Sequence, residues 1–350
     1  MRFKSSQTLV FSQNEGAIVA CNFLTKSVFN CSPDLFALLG KLHEWKNLDE
    51  ISQLVPELEQ QELNDALTNL QNISALVGEG TATATVESDF EKTWSWGIPA
   101  ALMHYSVQDN DYISLDQAEA LQKEKAAGAG KIDLYLKNDG FAETIPLPAS
   151  IDSSPLLSLM GKRRTIRRAK PQSISLQQLS DCLFAGLGIT GETENCVGKL
   201  PLSMTPSGGA RNPYEAYVFA RNVEGLPQGI YHYSASEHSL GLVRRKNDIA
   251  LSELIGGQEW GDEMACLIML CAHLDRTMWK YVDANAYRVV LIEAGHIGQN
   301  IMLAATDHGL TACPTAAISH SRVKTELGMT SLTQAPVYAL SLSVPERSAN

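Results

Sequence analysis

Six of the nine residues from Lys162 to Lys170 (KRRTIRRAK) are basic, and two Arg pairs frame Thr165. Guanidinium forks grip phosphate oxygens in pairs and a hydroxyl adds a further donor, so this stretch is expected to hold an anion, a phosphate before others. The plainer alternative is a solvated basic helix end. Other reactive side chains are scattered. His273, His296, His308 and His320 build no metal site: His296 and His308 stand twelve apart on one expected helix, and no H-E-x-x-H occurs. These histidines read as core or helix-end residues. Seven Cys, odd in number and without C-x-x-C, give neither a disulfide framework nor a zinc knuckle, so buried free thiols are expected. Gly188 to Gly191 and Gly256-Gly257 do not form G-x-G-x-x-G after a strand, and no nicotinamide fingerprint is visible.

The rest of the charge is lopsided. Residues 1–150 carry 10 Lys+Arg against 21 Asp+Glu, while residues 151–350 carry 18 of each, so the net charge of −11 belongs to the first part. Binding nucleic acid requires cations to displace counterions, which makes the acidic part a poor nucleic-acid binder. Hydrophobic content of 44% and charged content of 19% are ordinary globular values. The longest apolar run, Met264 to Ala272, is nine residues against the roughly 20 of a membrane helix, and the N-terminus lacks a signal-peptide core. A soluble, cytoplasmic protein with no membrane partner is expected.

Those residues need elements to position them. Thr8–Phe11 and Ala17–Leu24 read as strands, and Ser32 with Pro33 behind it opens a helix to about His43. A short helix at Leu48–Ile51, a third helix over Glu57–Leu76 and a β-prone Thr81–Val86 complete a small winged-helix-like unit. Its acidity favours a peptide over DNA. Helical pieces follow at Trp94–Tyr105 and Leu115–Ala127, then the Pro/Ser-containing Thr144–Ser154 reads as a linker, which places a boundary near residue 150. Beyond it come a helix capped by Ser175, strands at Tyr214–Ala220, Gly229–Tyr233 and Met264–Ala272, a long helix from about Asp283 to His308, and a closing strand at Gln334–Val344. On the long helix, Ala294, Gly295 and Gly298 form a small-residue face that another helix or a cofactor could approach. Strands and helices mix without a regular βαβ period, so the fold class is α+β.

Four segments taken in order resemble the nitroreductase-like FMN flavoproteins, and within them the SagB/ThcOx-type azoline dehydrogenases of peptide-modifying clusters. The resemblance covers roughly residues 155–345. RRTIR at Arg163–Arg167 is similar to the family's opening for the FMN phosphate and ribityl chain, which implies Arg163, Arg164, Thr165 and Arg167 as ligands. TPSGGARNPYEAYVF at Thr205–Phe219 resembles the segment that faces the flavin from a partner subunit, implying Pro206, Ser207, Gly208, Gly209 and Arg211. EAGHIGQNIMLAA at Glu293–Ala305 resembles the central helix, and GLTACPTAAIS at Gly309–Ser319 the loop behind the isoalloxazine, implying Pro314, Ala316 and Ala317 beside the ring. A fifth feature, Lys280-Tyr281, is similar to the catalytic Lys-Tyr pair of the azoline branch. By itself such a dipeptide is a surface Lys beside a half-buried Tyr.

The resemblance implies a nitroreductase-like FMN-binding domain over residues 151–350, preceded by a winged-helix-like accessory or peptide-binding domain over 1–150. It implies a homodimer with FMN across its interface and a precursor peptide as substrate, alone or within a cyclodehydratase complex. The implied reaction is FMN-dependent oxidation of a thiazoline or oxazoline to the azole, with molecular oxygen taking the electrons. That chemistry removes a proton from a ring carbon and a hydride to the flavin, so a base is needed. Lysine is protonated at neutral pH, so Lys280 would need desolvation or a neighbouring cation, and Tyr281 could share or relay the proton. Arg163 and Arg211 are candidates to balance phosphate or reduced-flavin charge, and Arg347 for the C-terminal phosphate ligand. Two other readings stay open: an NAD(P)H-dependent nitro or quinone reductase on the same fold, and a flavin-less peptide-binding scaffold.

Overall fold

A computed structural model describes residues 1–129, 134–135, 143–148, 154–245 and 248–346. The chain divides into two compact units, each described by itself. The first comprises Met1–Gln108 with Met278–Arg288 and Ser331–Thr333; the second comprises Asp109–Thr277, Val289–Thr330 and Gln334 onward. The boundary expected near residue 150 falls among residues 149–153, and Arg347 at the C-terminal end, both outside the described residues.

The first unit opens with β1 (Arg2–Ser5), β2 (Leu9–Asn14), β3 (Ala17–Asn22) and β4 (Ser27–Cys31). It continues through α1 (Pro33–Lys41), β5 (Lys46–Asn47), α2 (Leu48–Ser52), α3 (Gln60–Asn72), β6 (Leu76–Gly78), α4 (Ala82–Thr93) and α5 (Gly97–Ser106). Two three-stranded antiparallel sheets, β5-β1-β6 and β2-β3-β4, supply its strands. Local chemistry starts the helices: the Ser32 hydroxyl accepts from Leu35 N–H at 3.1 Å ahead of Pro33, and Asn47 and Glu50 cap α2 reciprocally. Phe3, Leu39, Leu42, Ile51, Leu63 and Leu67 form the core beneath them. Beside this core runs a buried polar knot in which Asn22 joins Thr8, Ser6 and the Ser74 carbonyl while also receiving Leu24 and Thr25 N–H.

One expectation fails here. Thr81–Val86 is helix, the first part of α4, because the Thr81 hydroxyl takes Ala84 N–H at 3.2 Å and the turn then buries Glu87 against Ser6 and Gln7. A cap and inward-facing partners outweigh the β preference of Thr and Val.

The second unit contains α6 (Leu115–Ala129), α7 (Pro155–Lys162), α8 (Leu176–Leu187), β7 (Ile189–Asn195) and β8 (Gly198–Ser203). Next come β9 (Tyr214–Ala220), β10 (Gly229–Ser234), β11 (Ser239–Arg245), α9 (Leu251–Leu254), β12 (Cys266–His273), α10 (Leu274–Met278) and α11 (Asn285–Asp307), the last two without Met278 and residues 285–288, which count with the first unit. β13 (Thr311–Thr315), α12 (His320–Leu327) and β14 (Gln334–Ser343) finish it. A six-stranded antiparallel sheet in the order β11-β10-β9-β12-β14-β13 carries the architecture, and β7-β8 form a separate hairpin. β12 lies inside the sheet with both faces covered, which is why its sequence is apolar throughout rather than alternating. With intermixed helices, the unit is α+β.

By length and composition α11 is apolar enough to cross a membrane, with 44% of its most apolar stretch buried in the fold. Within the second unit the face divides: a Cβ on Gly298 would stand 2.4 Å from the Tyr338 ring, so glycine lets α11 close onto β14, while Gly295 is exposed. A second correction concerns Thr311–Thr315, expected as a loop. It is edge strand β13, paired with β14, and an edge position tolerates Pro314, which has no N–H to donate.

Candidate functional site

The basic segment leaves α7 at Arg163 and runs extended across the second unit. Ile166 is tied to β13, its N–H donating to Thr311 Oγ1 at 3.1 Å and its carbonyl accepting from that hydroxyl at 2.9 Å and from Cys313 Sγ at 3.0 Å. Lys170 N–H donates to the Val344 carbonyl, and Glu346 N–H to that of Arg168. The backbone is thereby fixed while the cationic side chains remain outside. Lys162, Arg164, Arg167, Arg168 and Lys170 are exposed and Arg163 is partly so; Arg167 lies 5.9 Å from the centroid of the Trp260 ring. None of the six forms an ion pair with a carboxylate among the described residues. Lys162, Arg164 and Lys170 line a cavity of about 330 Å³ with Ile166, Thr306 and Pro345. Three cations on one cavity wall, Lys162, Arg164 and Lys170, fit a dianionic phosphate such as the phosphate end of FMN, whereas Arg163, Thr165 and Arg167 do not line that cavity. Cys313 is buried, its thiol pushed up mainly by burial, and it serves to hold the Ile166 carbonyl.

Thr205–Asn212 makes the second part. Its turn is short and strained: φ is positive at Gly209 (64°), Ala210 (52°) and Asn212 (43°), conformations that only glycine adopts without cost. Successive N–H groups in such a turn form a concave donor surface of the kind that receives anions. Hydrogen bonds hold it from several sides. Ser207 accepts from Asn212 N–H at 2.8 Å, Glu293 accepts from Gly208 N–H at 3.2 Å, and Thr205 is joined to Gly186 O and Asn300 Nδ2. Arg276 donates to the Asn212 carbonyl at 2.9 Å, and Arg211 Nε donates to the Arg276 carbonyl at 3.1 Å.

Arg276 is fixed in turn by Glu215, which also takes His232 Nε2 at 2.8 Å. Burial pushes the Glu215 carboxyl up, but the hydrogen bonds from His232 and Arg276 and their charge outweigh it and hold it below the usual carboxylate range. His273 beside them is pushed down by burial and then by Arg276. Glu215, His232, Arg276 and Glu293 line one cavity of about 270 Å³ with Thr205 and Asn212. Sequence reasoning passed over all four. Glu215 and Glu293 stood inside quoted motifs, and an acid flanked by apolar residues on a core helix was the available signal for Glu293.

Of the three residues expected beside the flavin ring, Pro314 lies in β13, Ala316 is exposed, and Ala317 N–H donates to Thr315 Oγ1 at 3.1 Å. The remaining pair belongs to the first unit. Lys280 is exposed, with Nζ 5.3 Å from the centroid of the half-buried Tyr281 ring. Trp96 Nε1–H donates to the Tyr281 carbonyl at 2.7 Å. Trp96 sits in an aromatic cluster with Trp94 and Tyr287, so a rigid body anchors the pair's backbone. The burial that a lysine base requires is not present around Lys280 within this unit. Among the described residues, no three His, Cys, Asp or Glu side chains are grouped to hold a metal ion.

MJ1384 of Methanocaldococcus jannaschii, a protein named for nitroreductase, is 31% identical over 183 residues, which is 51% of this chain and 87% of that protein. The trifolitoxin-processing protein TfxB of Rhizobium leguminosarum bv. trifolii is 33% identical over 132 residues, 35% of this chain. The microcin B17-processing protein McbC of Escherichia coli is 29% identical over 139 residues, 38% of this chain. The matched regions span 34% of TfxB and 50% of McbC. The description of the Nitroreductase family matches residues 160–342, from α7 to β14 and so just over half of the 350 residues: the chain belongs to the nitroreductase family.

Proposed function

We propose that this chain is an FMN-dependent dehydrogenase that oxidises thiazoline or oxazoline rings of a precursor peptide to azoles, working as a homodimer. The observation that carries the reading is the cavity lined by Lys162, Arg164 and Lys170 within the basic Lys162–Lys170 segment, with the strained Ser207–Asn212 turn as a second donor surface. Arg163, Arg164, Thr165 and Arg167 hold the phosphate and ribityl end. Pro206, Ser207, Gly208, Gly209 and Arg211 serve the flavin of the partner subunit. Of Pro314, Ala316 and Ala317, Ala316 is the amide assigned to the ring, because proline has no N–H and Ala317 already donates to Thr315.

When bound, FMN supplies a two-electron acceptor for the hydride of the azoline ring. The chain's own task is the ring proton, which we assign to Lys280 and Tyr281. Lys280 is exposed within its unit, so desolvation of the pair has to come from bound peptide, and either Lys280 or Tyr281 takes the proton. TfxB and McbC, named for processing trifolitoxin and microcin B17, support a precursor as substrate; a place beside a cyclodehydratase is part of the proposal. The acidic first unit is assigned the grip on that peptide.

Incubating the FMN-loaded chain with a thiazoline-bearing peptide in air tests the reading by mass. Loss of two hydrogens per ring is expected. Unchanged peptide together with rapid oxidation of NADH or NADPH would replace it with a nicotinamide-driven reductase.

A further inference from the structure

The Ser207–Gly208 turn is held by a carboxyl group that the proposed chemistry does not use. Glu293 projects from α11, is 5% exposed, and accepts Gly208 N–H at 3.2 Å. Next to it, the Ser207 hydroxyl accepts Asn212 N–H at 2.8 Å. The carboxyl thus fixes the strained segment at Gly208, beside the Ser207 hydroxyl that fixes Asn212. No salt bridge satisfies the carboxyl among the described residues, and burial pushes it above the usual carboxylate range against the opposing pull of Ser207 and Gly208. A buried acid without a cation persists at a cost unless its hydrogen bonds are needed.

Packing alone cannot do this work. Behind the turn lies the cavity of about 270 Å³, with Thr205, Asn212 and Glu293 on its wall, so side chains do not fill the space that would otherwise brace it. On the α11 side the fit is close, since a Cβ on Gly208 would stand 2.9 Å from Val289 Cγ1. The turn therefore lies close to α11 at Gly208 and is held by hydrogen bonds at Gly208 and Asn212. Ala210 and Asn212, at φ of 52° and 43°, would relax if those bonds were lost.

We propose that Glu293 is the positioning residue that keeps the Ser207–Gly208 turn in the shape that receives the flavin. This rests on the FMN reading above, but the shape of the turn is measurable without cofactor. Glu293→Met keeps the volume and removes the acceptor; Glu293→Gln keeps an acceptor oxygen for Gly208 N–H. In the flavin-free whole chain, amide hydrogen exchange over residues 206–212 is expected to quicken by about tenfold or more in Glu293→Met and to stay within about threefold of wild type in Glu293→Gln. FMN affinity, read by quenching of flavin fluorescence, is expected to follow the same order. Folded Glu293→Met with wild-type exchange overturns the proposal, as does a Gln variant as loose as the Met variant. Should Glu293→Met fail to fold, Ser207→Ala decides the point: faster exchange of the same segment supports it and an unchanged rate overturns it. Wild-type chain that binds no FMN would overturn the cofactor reading alone and leave the exchange result standing.

Discussion

The Trp96 indole N–H donates to the Tyr281 carbonyl at 2.7 Å, linking residues 185 positions apart in the chain. This bond sets the backbone of the Lys280-Tyr281 pair from an aromatic cluster that carries no reactive group itself. Trp96→Phe keeps most of the ring packing and removes the donor, a loss of about 1 kcal/mol for a typical hydrogen bond. We expect turnover of a thiazoline peptide to fall about threefold to tenfold with FMN content unchanged. Steady-state rates and flavin absorbance measure both, and an unchanged rate would remove the pair's anchoring from the account.

The cation cluster makes a separate prediction. Arg164→Ala combined with Lys170→Ala removes two unpaired charges from the cavity wall. FMN binding should weaken by about tenfold to a hundredfold, while riboflavin, which has no phosphate, should change by less than about threefold. Equal losses for the two ligands would mean that the cluster acts on fold or ring rather than on phosphate.

Glu215 and Glu293 predict opposite responses to pH. Glu215 lies below its usual range when folded, so its contribution to stability is full above an unfolded value of about 4.3 and is lost as pH falls through the lower folded value. Glu293 lies above its usual range, so stability is greatest below about 4.3 and declines as pH rises through its folded value. Melting temperatures between about pH 3 and 7 should therefore show Glu215→Gln flattening the acid limb and Glu293→Gln removing a decline on the higher side. Glu215→Gln should also cost about 1.5–3 kcal/mol at neutral pH, because its partners Arg276 and His232 lose a charged acceptor.

In the first unit, Asn22→Ala breaks the polar knot. It strands the Leu24 and Thr25 N–H groups and the Ser74 carbonyl, while the Ser6 and Thr8 hydroxyls keep each other and Glu87, and should cost about 2–4 kcal/mol in urea unfolding. A loss below about 1 kcal/mol would show that the freed groups find other partners.

The parts of the fold that were legible are those decided locally. Ser32 and Ser175 announce helices because a hydroxyl two or three residues ahead of apolar spacing has one good use, and both cap in the structure. β12 was readable because burial on both faces leaves a continuous apolar run. Where tertiary partners decide, the reading broke down. Thr81–Val86 follows its cap and Glu87 rather than its β-branched side chains, and Pro314 sits in a strand only because β13 is an edge. The Glu215–His232–Arg276 group was invisible because it depends on register: β9 pairs Tyr217 with His232, which brings Glu215 within reach two residues away. The basic segment Lys162–Lys170, by contrast, is contiguous in sequence and needed no fold to be seen.

The central claim is that the chain binds FMN and passes electrons to it from a peptide. Its most direct test is the visible absorption spectrum of the whole chain after reconstitution with FMN and gel filtration, recorded without oxygen as NADH or NADPH and then a thiazoline peptide are added. The account predicts flavin bands that survive filtration, persist with either nicotinamide and bleach with the peptide. A colourless protein after reconstitution, or bands that bleach rapidly with a nicotinamide and not with the peptide, would contradict it.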